Sequence, residues 1–179
     1  PLARRARGAG VAVSDPRLGG GNHFIELQRE EETSSLFVQV HTGSRGFGHG
    51  LATNYFALAK EERPGDVDDI DLGYFTPSSR HYGDYLNAVA AGGNFAILNR
   101  LMIFEQVAEA FRKVFRAELE LVYEISHNLV QAEDHPEFGE VWVHRKGATR
   151  AFPAGHPALA GTLFADTGHP VLIPGSNRD

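Results

Sequence analysis

A chain of 179 residues with 42% apolar and 22% charged side chains is long enough to bury one core, and its composition excludes a disordered protein. The absence of cysteine excludes disulfides, thiolate metal ligands and a thiol nucleophile. A formal net charge of -6 gives no overall attraction to nucleic acid, so any such contact has to come from a local basic patch.

The opening segment PLARRARGAG is basic, but no apolar segment of signal-peptide length follows, and no run approaches a membrane span. A soluble, cytoplasmic protein without a membrane partner is expected. The missing initial methionine and the unfinished end at PGSNRD point to cuts at both termini.

From residue 22 to 41, NHFIELQ and LFVQVHT alternate in polarity around the polar connector REEETSS, which predicts a hairpin. Alternation puts His23 in phase with Ile25 and Leu27, with Asn22, Phe24 and Glu26 on the other face. A glycine-rich loop, GSRGFGHG, comes next, and a helix is predicted over LATNYFALAKEE, stopping before Pro64. The acidic stretch to Ser79 reads as a solvated loop.

The strongest helix is predicted over 94 to 116, because Ile97, Leu101, Phe104, Ala108, Phe111 and Phe115 form one apolar stripe. Arg112, Lys113 and Arg116 suit its C-terminal end. The Gly92-Gly93 pair is expected to break or kink this helix away from an earlier stretch, Tyr82 to Ala91. Strands are then predicted at 120 to 126 (ELVYEIS), at 140 to 146 (EVWVHRK) and over HPVLIP near the end. Helices and strands segregated in this way define an α+β class.

Three histidines, His23, His41 and His127, fall where strands become loops, a place where rigid scaffolds present ligands. Neutral imidazoles bind borderline divalent ions, and Glu26 and Asp84 could add the oxygens that manganese favours. Taken singly, each histidine fits a structural, hydrogen-bonded role better, since the spacing matches no local metal motif. The amides around Arg45 could form an anion-binding nest, or simply a turn leading into a helix. In HRKGATR, the residues Arg145, Lys146 and Arg150 could hold phosphate or mark a charged strand end. Ser44, Ser126 and Ser176 lie in no GxSxG motif, which puts serine hydrolysis well below the metal reading.

Taken together and in order, GGGNHFIEL, VHTGSRGFGH, VYEISHN, VHRKGATRAF and HPVLIPGS resemble the successive signature blocks of the RtcB family of RNA ligases, and NFAILNR before the long helix also fits. The resemblance implies an RtcB-like fold with antiparallel sheet layers and flanking helices, of which residues 1 to 179 would be an incomplete central part of a catalytic domain. It implies joining of an RNA 3′-phosphate or 2′,3′-cyclic phosphate to a 5′-hydroxyl, with GTP and Mn2+, through a covalent GMP intermediate. The RNA would be tRNA halves or broken RNA, and an archease-like activator is a further implied partner. By the same resemblance His23, His41 and His127 are metal ligands. Asn22, Phe24, Glu26, Asn128 and Ser176 border the guanine nucleotide, and Arg45 and Lys146 hold RNA phosphate.

The family's attacking histidine belongs to an HGAGR block that this sequence does not contain, and His144 in HRKGATR is not that residue. No catalytic residue is therefore assigned, and the family's aspartate and bridging cysteine are also missing. This chain alone is expected to be inactive. The competing expectations are a metal-dependent phosphatase or phosphodiesterase and a non-catalytic RNA-binding fragment.

Overall fold

The computed structural model describes residues 17–62, 65 and 68–169. Two antiparallel hairpins and two helices make up its frame. Strand β1 (Phe24–Arg29) pairs with β2 (Leu36–His41), and the register sets Phe24 opposite His41, Glu26 opposite Gln39 and Gln28 opposite Phe37. Glu30 shapes the connector by accepting the amides of Glu32 at 2.9 Å and Thr33 at 2.6 Å. The predicted hairpin is present, but its phase does not extend to His23, which stands one residue before β1.

Helix α1 spans Arg45–Glu62, so it takes up most of the segment expected to be a glycine loop. Glycines at 46, 48 and 50 weaken helix propensity without forbidding it, and tertiary packing overrides them here. The two helices approach at Gly48 and Gly92, where a Cβ placed on Gly92 would lie in ordinary contact, 3.8 Å from the Gly48 Cα, and one on Gly48 would meet the Ser44 side chain. A 3-10 turn, Ile70–Leu72, is capped by Asp69, whose side chain accepts the amide of Asp71.

Helix α2 is one continuous element, Tyr82–Phe115, and the expected break at Gly92-Gly93 does not occur. Residues on both sides of the pair pack on the same body, which supplies more stability than the two glycines remove. Arg116 closes the helix in a left-handed conformation, φ 54°, with its amide donating to the Arg112 carbonyl. Helix α2 carries most of the buried core, through Ala96, Met102, Ile103 and Ala108, joined by Ala59 of α1 and by Leu159. Of the predicted stripe only Ala108 is buried, Ile97, Leu101, Phe104 and Phe111 are half-buried, and Phe115 is exposed.

The second hairpin pairs β3 (Asn128–His135) with β4 (Gly139–Lys146). β4 lies where EVWVHRK was predicted. The strand expected over 120 to 126 is instead extended chain without a strand partner, and the paired strand begins two residues later. Alternation reports an extended backbone, not a neighbour to bond with, and in this segment Glu124 and Ser126 bond to the Arg100 side chain. Of the predicted HPVLIP strand, only His169 lies within the described residues. Many large apolar side chains are exposed, among them Ile25, Leu27 and Leu36 on one face of the first hairpin.

Candidate functional site

His23, His41 and His127 come together. The His23 and His41 rings meet edge on with centroids 5.6 Å apart, and those of His41 and His127 lie 5.2 Å apart. The Nε2 atoms of His41 and His127 are 3.0 Å apart. All three rings line one cavity of about 470 Å³, which also receives Asn22, Ser44, Arg100, Asn128 and Lys146.

Local structure explains how residues distant in sequence converge. His41 ends β2, and His127 stands immediately before β3. Between them lies Arg100, near the middle of α2. Its guanidinium donates to the Thr42 carbonyl at 2.9 Å and to the Ser126 hydroxyl at 2.8 Å, and it pairs with the Glu124 carboxylate. One side chain therefore ties the residue after His41 to the residue before His127. Asn99 beside it is 3% exposed and bonds the backbone of Arg17 through both amide atoms and the Gly43 carbonyl at 3.0 Å. Sequence reasoning missed both residues. The available signal was a polar Asn-Arg pair set inside the apolar part of the long helix.

Burial is the first cause that lowers the pKa of His23, followed by the nearby Arg45 cation and His41. Burial likewise lowers that of His127, followed by His41 and Arg100. Both rings are thereby held in the neutral form that can donate a lone pair to a metal. His127 Nδ1 is buried with no hydrogen-bond partner among the described residues.

Two imidazole nitrogens each about 2.1 Å from one ion are roughly 3 Å apart when they subtend a right angle, so the His41 and His127 separation suits neighbouring ligands. The same distance also suits a hydrogen bond between neutral rings. Among the described residues no group of three His, Asp or Glu side chains is placed to hold a metal ion. The His23 Nδ1 is in contact with the Arg45 guanidinium. The neutral imidazoles of His41 and His127 are donors of the kind a divalent ion accepts, while the His23 Nδ1 is covered by Arg45. Glu26 and Asp84, considered as oxygen donors, are exposed and line no part of the cavity.

Arg45 opens α1 with φ 54°, and its guanidinium occupies the space that a Cβ on Gly19 would need. Gly19 itself adopts φ 91°, so a side chain there would meet both backbone strain and Arg45. Within HRKGATR, Arg145 is paired with Glu133 and Arg150 lies 3.5 Å from the same carboxylate. Lys146 makes no ion pair among the described residues and is exposed. It lies opposite Asn128 in the hairpin register, and the Asn128 Oδ1 accepts the Gly147 amide at 2.7 Å.

The residues expected around a guanine nucleotide are divided. Asn22 and Asn128 line the cavity. Phe24 packs edge on against His41 with centroids 5.4 Å apart, outside the lining. Glu26 receives the Gln28 amide. Ser176 lies outside the described residues.

The three imidazoles thus meet beside the Arg45, Arg100 and Lys146 cations at one cavity. The family model described as tRNA-splicing ligase RtcB matches residues 11–179, and the chain belongs to that family. Curated relatives named tRNA-splicing ligase RtcB include one from Pyrobaculum aerophilum, 40% identical over 185 residues, and one from Thermococcus kodakarensis, 42% identical over 183 residues. Each match covers 89% of this chain and 38% of the relative. A third, from Pyrococcus furiosus, is 41% identical over 186 residues, covering 89% of this chain and 19% of its own length. The chain thus spans well under half the length of the curated relatives it matches. No solved structure gave a significant match.

Proposed function

We propose that this chain supplies the histidine cluster and phosphate-binding side chains of an RNA ligase that joins a 3′-phosphate or 2′,3′-cyclic phosphate end to a 5′-hydroxyl end with GTP and Mn2+. The observation that carries the proposal is the meeting of His23, His41 and His127 in one cavity with Arg45 and Lys146 close by.

His41 and His127, with His23, would hold the manganese, which when bound supplies positive charge to a phosphoryl group in transfer. Their neutral state leaves the lone pairs free for that role. Arg45 rests on His23 and can pass its planar donor fork to an incoming phosphate, where bidentate bonding favours it. That movement frees the His23 ring. Lys146, two residues from His144 along β4, offers a second cation for the RNA backbone. Asn22 and Asn128 border the nucleotide from the same cavity, and Phe24, Glu26 and Ser176 complete the proposed set. The RNA ends are those of tRNA halves or broken RNA, the compartment is the cytoplasm, and an archease-like activator is a further partner.

A short RNA ending in 3′-phosphate tests this reading. Its binding should exceed that of the 3′-hydroxyl RNA, and Arg45→Ala and Lys146→Ala should each weaken it across sequences and lower its salt slope by about one. Equal binding of the two RNAs, indifferent to both substitutions, would overturn it.

A further inference from the structure

The cavity has a second group of side chains that phosphate chemistry does not use. Tyr55, Phe56, Tyr85 and His144 line it alongside the histidine cluster. Tyr55 and Tyr85 meet at 5.7 Å between centroids, and Tyr85 and His144 lie at 5.9 Å with ring planes only 9° apart. The His144 Nε2 is 2.8 Å from the Tyr85 hydroxyl. Burial raises the pKa of the Tyr85 phenol, which keeps it a proton donor toward that nitrogen.

Core packing accounts for Tyr55 and Tyr85, which also close on Phe75. It does not account for His144, which is exposed, or for Phe56, which is 65% exposed. His144 is an aromatic ring fixed in place by Tyr85 with a surface left for a ligand.

We propose that this aromatic side of the cavity binds the nucleobase of the RNA's 3′-terminal nucleotide, with His144 as the stacking platform and Tyr85 as the residue that positions it. The inference rests on the ligase reading above. His144 and Lys146 project from the same face of β4 and are two residues apart, about 7 Å along a strand, which is the reach from a nucleotide's phosphate to its base. A phosphate held by Lys146 near the imidazoles therefore leaves its base beside His144. Stacking tolerates every base, as joining ends of varied sequence requires. Phe24 and Glu26, expected beside guanine, lie outside the cavity lining, whereas Tyr85 and His144 lie within it.

The test compares two short 3′-phosphate RNAs, identical except that the terminal nucleotide of one is abasic, by fluorescence anisotropy with the purified chain. The abasic RNA should bind roughly 5- to 100-fold more weakly, the scale of one stacked base. His144→Ala should bring the normal RNA down to the abasic level and leave the abasic RNA unchanged. Equal affinity of the two RNAs, or an equal effect of His144→Ala on both, would overturn the proposal. A terminal 2-aminopurine should lose fluorescence on binding and keep that quenching in saturating GTP. Its reversal by GTP would assign the site to the guanine nucleotide instead. Preference for 3′-phosphate over 3′-hydroxyl is read in the same assay, so failure of the ligase reading is distinguishable from failure of this one.

Discussion

His41 and His127 are 86 positions apart in the chain and meet Nε2 to Nε2 at 3.0 Å. Neither strand hairpin contains both. What joins them is Arg100, whose guanidinium reaches Thr42, Glu124 and Ser126 at once. The geometry of the cluster therefore depends on a helix residue that is not itself one of the three imidazoles.

Arg100→Ala is expected to cost about 2 to 3 kcal/mol, because it strands a largely buried carboxylate and two backbone or hydroxyl acceptors. Side-chain exposures of 14% for Arg100 and 18% for Glu124 put this pair well above a surface ion pair. Urea denaturation measures it. Arg100→Lys should recover only part of the loss, since a lysine cannot span three partners in a fixed fork. A variant as stable as the wild type would contradict the bracing role.

Gly93→Ala should stabilise the chain by about 0.5 to 1 kcal/mol, because Gly93 lies inside continuous α2 and its added Cβ meets open space. The melting temperature should rise by a few degrees. A fall would mean that the glycine is required for a bend or a contact at this point.

Stability should decline as the pH drops below 6.5, the value for an unperturbed histidine. Burial lowers the pKa of His23 and His127 in the fold, so between the folded values and 6.5 the unfolded chain binds more protons. Their contribution is complete above 6.5 and is lost as the pH falls through the folded values. The carboxylate shifts at Glu30, Glu109, Glu118 and Glu133 are all downward from 4.5 and act below it, leaving the interval above it to histidine. Urea midpoints at pH 7.5 and 5.5 measure the effect, and His127→Gln should reduce the difference. Greater stability at pH 5.5 would contradict this assignment.

Much of the fold is legible because alternation and the 3, 4 stripe are local. The first hairpin, β4 and the C-terminal two thirds of α2 follow from Phe24 to His41, Val141 to Lys146 and Ile97 to Phe115. The misplaced strand at Glu120 to Ser126 has a different origin. Its residues find no strand partner among the described residues, and its Glu124 and Ser126 side chains bond to a distant arginine, a contact of which sequence spacing carries no record. Gly92-Gly93 and the glycines of α1 mislead for a related reason: helix propensity is weak against packing between helices.

At the site, the convergence of His23, His41 and His127 was legible only through the order of the family blocks, because each ring alone resembles a structural histidine. The contact between Arg45 and His23 was not legible, although both had been singled out. It depends on Gly19 yielding its space to a guanidinium.

The most direct test of the central claim is a Mn2+ titration of the purified chain, followed by loss of the free ion's electron paramagnetic resonance signal. The wild type should bind, and His41→Ala and His127→Ala should each weaken binding at least about tenfold. Arg45→Ala, which clears the His23 nitrogen, should not weaken it. Binding that is the same in the wild type and in both histidine variants would contradict a metal site built from these imidazoles.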